Sequence, residues 1–276
     1  KLDEGRAKLK EAAELMPDNS GILINLSRIL FQMNDNHAAL DYAEDALAKD
    51  ENSPLVHYWY AKCLYSLRRD REAFDEVNIA LNLDPSQLPY YELKMNILIS
   101  NQAWDAVHEL MDFLKNAGAD QLAGYHYFEG QLEELENKNK DEALKIYHEV
   151  AERIAAGEIM DDQDRLYHRI ASLEGDKRDL KKNKEDFDLV LSYVNKALDF
   201  NEHDIPTLYY QAWMYRQIKD YDKSLEIYRK LEAYPTHSIS IERSIAEVLY
   251  QNLGKNGAEC LKYFEKLRDI YPEDDI

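Results

Sequence analysis

Apolar residues return at steps of three and four through most of this chain, the spacing that gathers them on one face of a helix. The stripes come in pairs separated by short polar turns, and the pairs repeat. Moving Asn34-Asp35-Asn36-His37-Ala38-Ala39-Leu40 on by 34 positions lands on Arg68-Arg69-Asp70-Arg71-Glu72-Ala73-Phe74. Ala39 then falls on Ala73, Ala46 on Ala80, Leu30 on Leu64 and Asp50-Glu51 on Asp84-Pro85. Residues 20–53 and 54–87 are two copies of one 34-residue unit of two helices.

A third clear copy spans 205–235. Gln211-Ala212-Trp213-Met214-Tyr215 lies in its first helix, Lys219-Asp220-Tyr221 makes the turn, Ser224-Leu225-Glu226-Ile227-Tyr228 follows, and Tyr234-Pro235 closes it. Small residues facing each other, Ala61 with Ala73 and Ala212 with Ser224, let the two helices of a pair approach closely. Larger ones such as Leu26, Tyr228 and Phe264 fill the space between pairs. No unit can bury its faces alone, so the units must stack. Pro17, Pro85, Pro235 and Pro272 end second helices, because proline cannot continue a helix.

Four further units are degenerate: 88–118, 122–153, 164–202 and 239–272. The first matches around Trp104-Asp105-Ala106-Val107 if one turn residue is missing, the second around Gly130 and Asp141-Glu142-Ala143-Leu144 with one extra. The third keeps both helices, Leu166 to Leu173 and Asp186 to Phe200, around a charged insertion at 174–186. Residues 1–19 read as a lone second helix, so the natural chain is expected to continue upstream.

The combination of a small residue in mid-first helix, a polar turn, a small residue opening the second helix, an aromatic four residues on and a closing proline resembles the tetratricopeptide-repeat (TPR) family. The resemblance covers nearly the whole chain. It implies an all-α, right-handed superhelical solenoid of antiparallel helix pairs, about seven units plus a partial N-terminal one, forming one domain over 1–276. It also implies that the fifth, ninth and twelfth positions of each first helix face an inner groove. Those positions hold Ile24, Arg28 and Phe31, then Tyr58, Lys62 and Tyr65, then Tyr209, Trp213 and Arg216 in the clear units. The degenerate units add Tyr127 with Gln131, His168 with Ser172, and Arg243 with Tyr250. The expected ligand-contacting set is Arg28, Phe31, Tyr58, Lys62, Tyr65, Tyr127, Tyr209, Trp213, Arg216 and Arg243. Arg and Tyr are strong hot-spot residues, and Arg grips a carboxylate with two hydrogen bonds. Glu92, Glu134 and Glu247 fall on the same positions, so the groove is not uniformly basic. The clamp of chaperone-binding TPR domains, built from Lys, Asn and Arg, is not reproduced: Asn25 is in place but Trp59 stands in the next unit.

Composition narrows the function classes. With 9 Gly and 7 Pro in 276 residues, helix breakers are scarce. A net charge of −20 argues against nucleic acid, whose phosphates need clustered Lys and Arg, and suits solubility. No apolar run approaches the roughly 18–20 residues of a membrane span. Cys63 and Cys260 are far apart in helical patterns and suggest neither disulfide nor zinc site but buried thiols in a reducing compartment, expected to be the cytoplasm. Motifs for phosphate loops, nucleophilic serine or zinc are absent, so no catalytic residue, metal or cofactor is expected. His126 with Glu129 and His148 with Glu152 share helix faces and read as ordinary helical pairs. The basic run in the insertion, Lys177 to Lys184, reads as a solvated loop or a contact for an acidic partner.

These features favour a non-enzymatic protein-interaction scaffold holding an extended peptide or partner helix, one that carries acidic groups. A structural arm of a larger assembly, contacting partners by its outer face, is the alternative; sugar binding on groove aromatics is a minor one.

Overall fold

The computed structural model describes residues 2–235 and 239–270, with the Ile270 side chain excluded. Pro272 and the end of the unit at 239–272 lie outside the described residues, as does Tyr271. The described residues form α-helices, turns and one short 3-10 segment, with no strand among them. They fall into two compact units, Lys1–Asp161 and Asp162–Ile276.

The first unit opens with α1 (Leu2–Leu15), which packs on the first of four helix pairs. The pairs are α2 (Ser20–Gln32) with α3 (Asn36–Lys49), α4 (Pro54–Ser66) with α5 (Asp70–Leu83), α6 (Leu88–Ser100) with α7 (Trp104–Asn116), and α8 (Ala123–Leu135) with α9 (Lys140–Ala155). The second holds three: α10 (Gln163–Asp176) with α11 (Lys184–Phe200), α12 (Ile205–Gln217) with α13 (Tyr221–Glu232), and α14 (Ile239–Gln251) with α15 (Leu253–Ile270), the last kinked at Asn256. Each unit is a helical stack of the kind the repeats imply.

Local chemistry explains the boundaries. Asn19, Asp35, Asn139, Asn183, Asp204 and Asp220 cap helices by accepting a backbone N–H of the first turn. Proline occupies the first or second position of α4, α6 and α12, where its missing N–H costs nothing. First helices end alike, on a residue in the left-handed region: Asn34, Arg68, Gln102, Lys138 and Lys219, with φ between 54° and 64°. That twist turns the next N–H back onto the helix: Asp35 donates to the Leu30 carbonyl, Arg69 to Leu64, Ala103 to Leu98 and Asp220 to Tyr215, each at 2.9 or 3.0 Å. Glycine would take this conformation more cheaply, yet none of the five is glycine.

The left-handed residue also corrects one expectation. Helices α2, α4 and α6 start at 20, 54 and 88, and their turns reach Asn34, Arg68 and Gln102, so no turn residue is missing from 88–118. Val107, not Ala106, takes the place of Ala39 and Ala73 and is fully buried with them. In the unit at 122–153 the turn residue does arrive one position later, at Lys138.

Small residues meet where the paired helices cross. Ser27 donates its hydroxyl to the Ala39 carbonyl at 2.7 Å, and Ser224 donates to the Ala212 carbonyl at 2.8 Å. Ala61 faces Ala73 in buried positions, and the Cys260 thiol points at the Ala246 carbonyl, 4.0 Å away. At Gly130 even one added carbon would meet Cδ1 of buried Tyr147 at 2.8 Å, so that ring requires glycine opposite it. Met95 and Val107 replace the small pair in α6 and α7, and those two helices approach each other least closely of all the pairs.

Candidate ligand-binding faces

Within the first unit the first helices touch across pairs, α2 with α4 and α4 with α6, whereas no comparable approach joins α3 to α5 or α5 to α7 among the described residues. First helices therefore line the inner side of this stack. On that side Lys62 extends its ammonium over three rings, 5.8 Å from the centre of Phe31, 5.7 Å from Tyr58 and 5.4 Å from Trp59. The rings hold each other edge-on, Phe31 to Trp59 at 6.1 Å and Tyr58 to Trp59 at 5.6 Å. A cation so placed is attracted by each ring face, at about 0.5–1 kcal/mol where exposed. Tyr65 donates its hydroxyl to the Asn96 carbonyl at 3.2 Å, joining α4 to α6. Arg28, at the position in α2 that Lys62 holds in α4, is exposed and makes no ion pair or hydrogen bond among the described residues.

Trp59 was not among the expected contacts. It follows the fifth helix position by one residue, and only its size carries it back to Phe31 and Lys62. The signal was its spacing from Lys62, three residues along the same helix. Ile24 is core, and Tyr58 and Tyr127 are 6% and 3% exposed, so in this conformation both tyrosines serve packing. Tyr127 lies against Phe128 and Tyr147, each ring centre 5.7 Å away.

In the second unit the equivalent helix is α12. Trp213 is half-buried and stacks on Tyr210 with centres 5.4 Å apart and planes at 16°. Tyr209 meets buried Tyr228 edge-on at 5.4 Å and hydrogen-bonds Ser244 of α14 at 2.8 Å. Arg216 is paired with Glu247 of α14. Arg243 is exposed on the first turns of α14. The structure thus brings Phe31, Tyr58 and Lys62 together, and separately Tyr209 and Arg216.

The charged insertion is anchored within its unit. Leu180 is buried, Arg178 pairs with Glu174 and Asp186, and the Asp179 carboxylate accepts the N–H groups of Lys181 and Lys182. His126 and Glu129 form the expected helical pair at 2.7 Å. Among the described residues no group of three or more His, Cys, Asp or Glu could hold a metal ion, and no helix is long and apolar enough to cross a membrane.

Residues 30–97 and 207–237 each match a family model of the tetratricopeptide repeat. The fold is similar to a tetratricopeptide repeat protein from Parabacteroides merdae, with a TM-score of 0.57 at 15% identity over 90% of this chain and 92% of that one. It is similar also to yeast Tom70, with a TM-score of 0.57 at 13% identity over 97% of this chain. This chain spans 62% of that structure's length. At such identities the likeness is one of fold. No curated protein matches the sequence.

Proposed function

Starting from the fact that this chain is a tetratricopeptide-repeat protein, we propose that it is a non-enzymatic scaffold whose first-helix faces hold an extended segment of another protein. The observation that carries this reading is the face of α2 and α4. It presents Arg28 without a partner beside a lysine framed by Phe31, Tyr58 and Trp59. A cation and half-buried rings side by side match a segment with an acidic residue next to an apolar one: the acid pairs with Arg28 and Lys62, and the apolar side chain covers Trp59.

A peptide-display selection on the whole chain tests it. Enriched peptides should be extended and acidic, and their affinity should fall at least about tenfold for Arg28→Glu and for Trp59→Ala, with helical circular dichroism unchanged. Affinity indifferent to both substitutions moves binding to the outer face. That second reading draws on Phe113, 52% exposed on α7 and lying against Tyr91 of α6 at 5.6 Å.

A further inference from the structure

The second unit contains a buried hydroxyl with nothing to bond. Tyr228 of α13 is fully buried, and its phenolic oxygen has no hydrogen-bond partner. Leaving such a group unsatisfied costs about 1–3 kcal/mol, so the arrangement calls for an explanation. Its surroundings are polar and converge from two first helices. Tyr209 of α12 and Ser244 of α14 stand beside it, bonded to each other. Ser244 spends its own proton on the Ser240 carbonyl at 2.9 Å, so Tyr209 donates to Ser244 and the proton of Tyr228 is left over. The Arg216–Glu247 pair is close enough for both charges to act on the phenol. Burial chiefly, and then the neighbouring Tyr209, push that phenol up to about 12, so it remains a donor at any physiological pH.

The second half of the observation is the pair above it. Arg216 is 19% exposed, whereas Glu247 is 57% exposed and free to swing into solvent. Glu247 shows what chemistry the arginine accepts, and it is a carboxylate from the protein itself. Two donors, the Arg216 guanidinium and the Tyr228 hydroxyl, lie on one face, and the only acceptor between them is a mobile surface side chain.

We infer that Arg216 and Tyr228 form a carboxylate subsite that Glu247 occupies in the free protein and that a partner's carboxylate takes over. The incoming group keeps the Arg216 pairing and adds the Tyr228 hydrogen bond, while Glu247 returns to water. Competition with an attached carboxylate weakens binding, so the subsite discriminates: a group that reaches both donors gains over one that reaches the arginine alone. This inference rests on reading the first-helix faces as ligand-facing, but it concerns α12 to α14 and not α2 to α4.

The test uses the full chain and two small probes, N-acetyl-Ala-Glu-Ala-amide for a side-chain carboxylate and N-acetyl-trialanine for a terminal one. Binding is followed by the side-chain Nε–H resonance of Arg216. Glu247→Gln should tighten at least one probe about tenfold over the unmodified protein, and the tighter probe identifies the source of the carboxylate. Adding Tyr228→Phe to Glu247→Gln should remove about fivefold or more of that affinity while the melting temperature holds or rises, because an unsatisfied hydroxyl has gone. An Arg216 resonance unmoved by both probes in Glu247→Gln, or affinity untouched by Tyr228→Phe, overturns the inference. Neither result bears on Arg28 and Trp59, whose peptides are selected and tested separately.

Discussion

Helices α4 and α12 are built to one plan and present different chemistry. Both carry proline at their start, both place a tyrosine at the fifth position and alanine at the eighth, and both end on a left-handed basic residue. At the ninth position α4 has Lys62 over three rings and α12 has Trp213 stacked on Tyr210. At the twelfth, Tyr65 gives its hydroxyl to a backbone carbonyl, whereas Arg216 holds a carboxylate. The positions that set helix spacing are kept, and those that meet a ligand are exchanged. In a stack whose repeats bury one another, only the inner face is free to diverge without loss of fold.

The sharpest way to break the comparison is at the shared alanine. Ala61 and Ala212 are both fully buried at the helix crossing. Leucine at either should cost about 2–3 kcal/mol, since neither pair can separate without disturbing its neighbours. Urea unfolding measures it. A cost near zero at one site would mean that the two crossings are not equivalent.

Next in size are the ninth positions. Trp213→Ala removes a half-buried stacked ring and should cost about 2 kcal/mol, below the range for a fully buried tryptophan. Lys62→Met keeps the stem and loses the cation, at about 1 kcal/mol. Chemical denaturation of the two variants should preserve that order. A reversed order would make the lysine, and not the aromatic stack, the structural member.

The plan common to α4 and α12 was legible in the sequence because it depends on residue size at fixed intervals: Ala61, Ala73, Ala212 and Ser224 announce themselves. The same search failed at α6 and α7, where Ala106 drew the register away from Val107, because Met95 and Val107 meet that crossing with bulk. The face was less legible. Helix position says which way Lys62 and Arg216 point, but it does not say whether Tyr58 and Tyr127 are covered by the next pair. It could not foresee that Trp59 would turn back, nor that Glu247, recognised as a groove position, would be the partner of Arg216. An unpaired hydroxyl such as that of Tyr228 depends on how neighbouring protons are spent, which no single-residue pattern encodes.

The two cysteines extend the comparison to accessibility. Cys63 of α4 lies between pairs beside Ser27, and burial pushes its thiol up to about 11. Cys260 of α15 is also buried and raised by burial, but it belongs to a kinked helix in the last pair. Thiolate is the reactive form, so neither should label with iodoacetamide at pH 8 except through local opening. Cys260 should react first, by about tenfold or more, as terminal pairs open more easily. Mass spectrometry of the labelled peptides decides it, and equal rates would mean that the stack opens as one.

The smallest effect should come from the residues that end the two helices. Arg68 and Lys219 hold φ of 62° and 64°, a conformation that costs a side-chain-bearing residue about 1 kcal/mol and glycine almost nothing. Glycine also loses more freedom on folding, which returns part of that gain. Lys219→Gly should therefore stabilise the protein by about 0.5 kcal/mol. Arg68→Gly should gain less, because Arg68 pairs with Asp70 at 3.3 Å, and an exposed pair of this kind is worth a few tenths of a kcal/mol. Paired urea titrations with a double variant resolve such differences, provided the two gains add, as they should for turns in separate units. Loss of stability at both turns would show that the basic side chains do more than tolerate the left-handed twist.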